Sequence, residues 1–240
     1  MKPGVGLKLY LAEKVVPLFL PRKAWSTKGF DFWLLLAALL KQVRPQNILE
    51  LGTGRSTLTM AEYASASGAN FVSLETDPRW YSKAVWELRW VAIKRRHIHF
   101  IAKAGESAWY DAAAFDALIP QDARFDFAYI DAPNDSRGNS KGSRDSDTGA
   151  AKIRNVVDGA KVIVIDDVHR RHVFDSIDKQ LARPEDYVRY YFDYPVKPIV
   201  NSLCLCVRKD VGIEGLIEIL RDEFRIRIYQ DFTADMCVEP

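Results

Sequence analysis

The residues with the clearest chemical pattern lie in the segment ILELGTGRSTL, at 48–58. An apolar run contains Glu50, and Gly52 and Gly54 follow before a helix-like stretch that begins near Ser56. Two glycines permit a tight turn and let a ligand lie against bare backbone, and the first turn of a helix offers unpaired amide groups. A carboxylate at the strand end suits a ligand that carries positive charge. The pattern therefore predicts a ligand-binding turn.

Two common phosphate-binding motifs do not fit this turn. A dinucleotide fingerprint needs a third glycine three residues after the second, where this chain has Thr57. A P-loop needs a Gly-Lys-Ser/Thr ending, which the turn lacks. A second acid, Glu75, ends the next strand-like run, FVSLET, and an acidic side chain there can accept both hydroxyl protons of a ribose. The ligand is therefore expected to contain a nucleoside.

Three more carboxylates, Asp131, Asp166 and Asp167, close the runs FDFAYID and KVIVIDD. Neighbouring strands lie about 4.8 Å apart, so these acids are expected to lie close together. They repel unless they are protonated, hydrogen-bonded or bridged by a cation, and oxygen ligands favour Mg²⁺ or Ca²⁺. A second interpretation stays open: Asp131 contacts cofactor or substrate, the other two acids cap a helix, and His169 or His172 is a general base.

The scaffold that positions these residues is predicted by the pattern after residue 47. Short β-branched or aromatic runs alternate with helical stretches, which is typical of a parallel sheet with crossover helices. Too few residues for a helix separate the last two runs, and Pro195 and Pro198 lie between them, so these runs are expected to pair antiparallel. The predicted strands are 47–52, 71–76, 98–103, 125–131, 161–167, 187–194 and 202–209, and the predicted crossover helices are 57–66, 78–93 and 169–181.

Further helices are predicted outside the sheet, at 4–20, 27–43 and 213–224. Residues 133–149, rich in Gly, Ser and Asp, are expected to form a mobile loop that contacts a ligand, since they directly follow a strand. The chain is expected to fold as a single domain with three parts: an N-terminal helical lid or substrate segment at 1–46, a central domain at 47–209, and a C-terminal extension at 210–240.

Composition excludes several protein classes. The 240 residues are 48% hydrophobic and 28% charged, which fits a folded soluble chain and not a disordered or collagen-like one. The net charge of +2 gives no overall field for nucleic acid or an anionic membrane, and no apolar run reaches the length of a transmembrane helix. Three cysteines without a CxxC pair argue against a disulfide scaffold, so a reducing, cytoplasmic setting is expected.

The segments ELGTGRSTL and LETDP resemble those of the class I S-adenosylmethionine-dependent methyltransferases, and the resemblance covers 47–209 in strand order. It implies a Rossmann-like α/β fold: a seven-stranded, mostly parallel sheet with an antiparallel last strand and helices on both faces. It also implies that the turn holds the methionine part of S-adenosylmethionine, that Glu75 binds the ribose, and that the AGES segment at 104–107 contacts the adenine, although that segment also fits a simple helix N-cap. The implied cofactor-binding residues are Glu50, Gly52, Thr53, Gly54, Ser56, Glu75, Glu106, Ser107 and Asp131.

The acid cluster is similar to that of catechol O-methyltransferase and its caffeoyl-CoA relatives. In that branch an Asp after the fourth strand and an Asp-Asn pair after the fifth bind a divalent ion. Asp131 and Asp166 match this pattern, whereas Asp167 replaces the Asn, and Asn134 stands where the branch carries a catalytic Lys. The resemblance implies an O-methyltransferase of a small molecule, with these three aspartates as ligands of Mg²⁺ or another divalent cation. Asp131 and His169 are the candidate catalytic residues.

Other functions stay open. The Asn at position 134 is compatible with a non-catalytic S-adenosylmethionine-binding module. A nicotinamide oxidoreductase is disfavoured by Thr57. A nucleic-acid methyltransferase has weak support from the basic run at 94–97. The segment DAPN at 131–134 lacks the first Pro and the aromatic residue of the motif that grips a flipped amine, which disfavours that interpretation. The expected partners are a small-molecule acceptor and, through the terminal helices, a second copy of the chain, with no membrane.

Overall fold

The computed structural model describes residues 30–89, 96–101, 110–131, 153, 155–168, 185–196, 199–224 and 227–230. Helices and strands alternate through most of this part of the chain. The helices are α1 (Phe30–Val43), α2 (Arg55–Ser67), α3 (Pro78–Leu88), α4 (Ala112–Leu118) and α5 (Glu214–Phe224). The strands are β1 (Asn47–Leu51), β2 (Asn70–Glu75), β3 (Arg96–Phe100), β4 (Phe127–Ile130), β5 (Val162–Ile165), β6 (Tyr187–Val196), β7 (Ile199–Arg208) and β8 (Arg227–Tyr229).

The described strands form one sheet in the order β3-β2-β1-β4-β5-β7-β6-β8. The first five strands of the chain pair parallel to one another, and β7 pairs antiparallel to both β5 and β6. This confirms the predicted seven-stranded α/β fold and the antiparallel last pair. The sheet gains one strand that the sequence did not predict, because β8 adds antiparallel to β6 at its edge.

Apolar side chains on both faces explain why the sheet is buried. Every residue of β4 (FAYI) and β5 (VIVI) is buried, as expected for central parallel strands. On one face Ile48 and Phe127 share a core with side chains of α1, α2 and α5. On the other face Leu49 and Ile163 share a core with Phe115 of α4. Helices therefore cover both faces, as the resemblance implied.

Local signals set the helix ends near the site. Asp77 caps α3, since its Oδ1 accepts a hydrogen bond from the Arg79 backbone N–H (2.7 Å), and Pro78 takes the first helical position. Gly68 ends α2 with φ of 76°, and its N–H donates to the carbonyl oxygen of Ala64.

Several predicted segments lie outside the described residues: the helices at 4–20 and 169–181, the loop at 133–149, and the ends of the segments predicted at 27–43, 78–93 and 98–103. Where they are described, the last three segments form α1, α3 and β3. Helix α4, which follows a cap at Asp111, was not predicted. In the part of the chain that the structure covers, no helix has the length and apolar character to cross a bilayer.

Candidate functional site

The carboxyl edge of the sheet brings the predicted site residues side by side. Backbone pairing continues one residue beyond each central strand. Gly52 N–H donates to a carbonyl oxygen of β2 (2.8 Å), Asp131 N–H donates to that of Leu51 (2.8 Å), and Asp166 N–H donates to that of Ile130 (2.9 Å). The residues that follow β1, β4 and β5 therefore occupy consecutive places along one edge, where open α/β sheets bind ligands.

The glycine turn has the conformation that its sequence requires at one position. Gly52 has φ of 92°, a value that side chains disfavour. Gly54 has an extended φ of −168°, and its N–H donates to Thr57 Oγ1 (2.8 Å). Thr57 is buried and lies where a dinucleotide fingerprint would have its third glycine. A threonine side chain thus stands where that fingerprint needs a glycine for close packing of helix against strand.

Glu50 is fully buried on β1 and bonded by two serines. Its Oε1 accepts a hydrogen bond from Ser56 Oγ (2.6 Å) and its Oε2 accepts one from Ser73 Oγ (2.6 Å). Burial raises the pKa of Glu50 from its ordinary 4.5 to about 7; the hydroxyl donors partly oppose this effect, and the nearby Glu75 carboxylate adds to it. The residue therefore titrates near neutrality, and a cation beside it would favour its ionised form.

Glu75 is buried at the end of β2 and accepts four hydrogen bonds. Its Oε2 accepts from the backbone N–H (2.7 Å) and the Oγ1 hydroxyl (2.8 Å) of Thr53. Its Oε1 accepts from the backbone N–H groups of Thr76 and Asp77, both at 2.7 Å. The predicted ribose acid is thus next to the predicted turn, and it is bonded to that turn through Thr53.

Tyr110, which sequence analysis did not select, lies among the acids. Its hydroxyl donates to the carbonyl oxygen of Leu74 at 3.4 Å, and the side chain is buried. Burial raises the pKa of Tyr110 well above 10, and the negative charges of Glu75, Glu50 and Asp131 raise it further. These charges come from three different strand ends and act on one hydroxyl, so the three carboxylates all lie near Tyr110.

Tyr129 on β4 extends this acidic edge. It is buried and pairs in register with Glu50 of the neighbouring strand, and its hydroxyl donates to Asp166 Oδ2 (3.1 Å). Burial raises the pKa of Tyr129 well above 10, and the charges of Asp166 and Asp131 add to the effect. Tyr129 was not predicted as a site residue. It lies two residues before Asp131 in FDFAYID, and this spacing could have indicated it, because alternate residues of a strand share a face.

The aspartates predicted as metal ligands lie at this edge, and Asp166 already has hydrogen-bond partners within the protein. Oδ1 of Asp166 accepts the backbone N–H of Asp167 (2.8 Å) and Oδ2 accepts the Tyr129 hydroxyl. Asp167 has φ of 59°, an uncommon conformation for an aspartate. Over the described residues, no three His, Cys, Asp or Glu side chains are grouped so that they could hold a metal ion. Metal binding by Asp131, Asp166 and Asp167 stays a prediction.

The predicted site residues thus fall into two sets. The described set is brought together at the carboxyl edge: Glu50, Gly52, Thr53, Gly54, Ser56, Glu75, Asp131, Asp166 and Asp167. Glu106, Ser107 and His169 lie outside the described residues. Sequence analysis missed Ser73, although a serine within the apolar run FVSLET, two residues before Glu75, indicates a polar contact on the same face of the strand.

Comparisons with protein-family models and with curated proteins give no match. Solved structures give many. Rv0187 from MTB, in its cofactor-bound form, is 19% identical over 87% of this chain and 91% of that chain, with a TM-score of 0.52. An O-methyltransferase from Bacillus cereus in complex with SAH is 20% identical over 85% and 90%, with a TM-score of 0.50. The O-methyltransferase TomG from Streptomyces achromogenes, in complex with SAM, is 16% identical over 87% and 90%, also at 0.50.

The chain has the Rossmann-like fold of these three structures, two of which are O-methyltransferases. This confirms the fold that the resemblance implied. The match spans at least 85% of this chain in each case. At 20% identity or less, the likeness concerns the fold, and the chemistry of the edge has to be argued from its residues.

Proposed function

We propose that this chain is an S-adenosylmethionine-dependent methyltransferase that acts on an oxygen nucleophile of a small molecule. One observation carries the proposal: the carboxyl edge of the sheet joins a turn of positive φ at Gly52 to two buried carboxylates, Glu50 and Glu75. An adenosyl sulfonium compound has the matching groups, namely a positive charge and a vicinal diol. The shared fold supports the same assignment.

In this proposal the turn from Glu50 to Ser56 binds the methionine part of the cofactor and Glu75 binds the ribose. Glu50 is fully buried beside this turn, and burial raises its pKa to about 7. A cationic ligand would stabilise its carboxylate, and the carboxylate would attract the ligand in return. Asp131 borders the same turn through its bond to Leu51. Glu106 and Ser107 would contact the adenine.

The catalytic task left to the protein is alignment and proton removal. The bound cofactor supplies a methyl group on a sulfonium, which is already an activated donor, so the protein's residues mainly hold donor and acceptor in line. The acceptor oxygen forms a bond to the methyl carbon as the carbon–sulfur bond breaks, and its proton passes to a base. Asp131 and His169 are the proposed bases, since Asp131 directly follows β4 and His169 comes four residues after the end of β5.

Metal assistance through Asp131, Asp166 and Asp167 is a separate part of the proposal, and calorimetry with Mg²⁺, Mn²⁺ and Ca²⁺ tests it. Binding that is lost in Asp131→Asn would support it. Absence of binding in the presence of S-adenosylhomocysteine, together with unchanged activity in EDTA, would remove it. The methyl-transfer proposal does not depend on that result.

The decisive experiment for the function combines binding and turnover. The parent protein is expected to bind S-adenosylhomocysteine and to release it from S-adenosylmethionine with a member of a panel of catechols and hydroxylated aromatic acceptors. Glu75→Ala and Gly52→Val are expected to lose the binding. Binding without turnover on any acceptor would favour a non-catalytic module, and turnover with RNA or DNA alone would favour a nucleic-acid methyltransferase. Stabilisation by NAD in place of these ligands would contradict the assignment.

A further inference from the structure

The carboxylate of Glu75 has no acceptor capacity left over in this structure. A carboxylate offers about four lone-pair directions, and Glu75 accepts four hydrogen bonds at 2.7–2.8 Å. A ligand with two hydroxyl donors can therefore bind Glu75 well only if some of the present donors leave. The position of each donor in the chain determines whether it can leave Glu75.

Two of the donors are fixed next to Glu75 itself. The backbone N–H groups of Thr76 and Asp77 lie one and two residues after the acid. Asp77 also caps α3 through its bond to Arg79 N–H, and Pro78 holds the first helical position. Moving these two amides would disrupt the start of the helix, so they stay with Glu75 in any ligand-bound state.

The other two donors both come from Thr53, which belongs to a different element. Thr53 is 22 residues from Glu75 in sequence and lies in the turn after β1, between Gly52 and Gly54. Glycines on both sides allow its peptide groups to rotate at low cost. The N–H and hydroxyl of Thr53 both donate to the same oxygen, Oε2. A vicinal diol presents the same number of donors.

We propose that Thr53 is an affinity-setting residue that holds Glu75 in the free protein and is displaced from it when a ligand's vicinal diol binds. This inference rests on the proposed function, because the diol is that of an adenosyl ligand. The exchange conserves the hydrogen bonds of Glu75, so the buried carboxylate is satisfied in both states. Its consequence is a lower ligand affinity, since only the fraction of molecules with Thr53 released is competent to bind.

The test is titration calorimetry of three proteins with S-adenosylhomocysteine. Thr53→Val removes the hydroxyl donor and keeps the shape of the side chain, whereas Thr53→Ser keeps the hydroxyl and serves as the matched control. Thr53→Val is expected to bind about tenfold more tightly than the parent, the effect of losing one hydrogen bond to a charged group from the free state. Thr53→Ser is expected to remain near the parent. Equal or weaker binding by Thr53→Val would show that Thr53 does not compete with the ligand.

A second measurement uses the parent protein, so it does not depend on the folding of a variant. The Thr53 amide proton, bonded to a carboxylate, is expected to resonate downfield in the free protein and to move upfield when S-adenosylhomocysteine is added. A resonance that keeps its downfield position in the complex would overturn the displacement of Thr53. If neither the parent nor Thr53→Val binds the ligand, the proposed function fails and the displacement fails with it. If both bind equally, the function stands and only the displacement is wrong.

Discussion

Replacement of Glu50 by Gln is expected to stabilise the free protein above neutral pH. The folded protein favours the protonated form of Glu50, since burial raises its pKa from 4.5 to about 7. Its contribution to stability is fully present below the unfolded pKa of 4.5 and is lost as the pH rises through 7. The difference between the two values corresponds to about 3 kcal/mol of unfolding free energy. Gln resembles the protonated acid, because it too carries one acceptor and one donor group.

Urea unfolding of the parent and of Glu50→Gln, from about pH 5 to about pH 8.5, measures this effect. The two proteins are expected to be similar in stability at the acidic end, and the variant to be more stable by about 2–3 kcal/mol at the alkaline end. Glu62→Gln is the matched control. Burial raises the pKa of Glu62 to about 8, and its Oε1 has no hydrogen-bond partner among the described residues. Glu62→Gln removes the contribution of Glu62 to the pH dependence of the unfolding free energy and leaves the contribution of Glu50 in place.

Two results would refute the reasoning about Glu50. One is a pH dependence that is the same in the parent and in Glu50→Gln. The other is a variant that is less stable than the parent near pH 8.5, which would mean that Ser56 and Ser73 stabilise an ionised carboxylate well enough to overcome its burial. Either result would also contradict a pKa of Glu50 near 7.

Three further predictions concern the same edge of the sheet. The affinity for S-adenosylmethionine should rise between about pH 6 and about pH 8 as Glu50 ionises. Calorimetry should find no such rise in Glu50→Gln. A parent affinity that falls over this pH range would contradict the prediction. Gly52→Val should lower the melting temperature and abolish binding, because φ of 92° costs a β-branched residue about 1–2 kcal/mol. Gly54→Ala should fold normally, since an added Cβ meets no atom closer than 3.9 Å. If both variants lost the same amount of melting temperature, the positive φ of Gly52 would not be the cause of the destabilisation. Tyr129→Phe should cost about 1–2 kcal/mol in urea unfolding, because Asp166 loses a donor, and an unchanged midpoint would mean that this bond adds nothing to stability.

The central strands and the antiparallel pairing of the last two could be predicted because their signals are local. The apolar runs of β4 and β5 indicate strands covered on both faces, and the prolines before β7 exclude a crossover helix. The eighth strand could not be predicted, since β8 has only three residues and depends on β6 for its hydrogen bonds. Helix α4, with seven residues, is too short for a periodic pattern to stand out.

The acids of the site were predictable from their positions at strand ends, whereas their partners were not. Sequence analysis predicted Glu50 and Glu75 as groups that face a ligand. The serine within FVSLET indicates a polar contact, but the sequence identifies neither its partner Glu50 nor the bond from Thr53 to Glu75. Such pairs depend on the register of β1 and β2 and on the exact path of the turn. Their physical cause is general, because a buried carboxylate is costly unless donors satisfy it.

The central claim is that the carboxyl ends of β1 and β2 bind an adenosyl ligand, and titration calorimetry with S-adenosylhomocysteine tests it most directly. The account predicts binding of one molecule per chain by the parent, and loss of that binding in Glu75→Ala with the fold retained by circular dichroism. A parent protein that gives no heat with S-adenosylhomocysteine or S-adenosylmethionine, or a Glu75→Ala variant that binds as tightly as the parent, would contradict it.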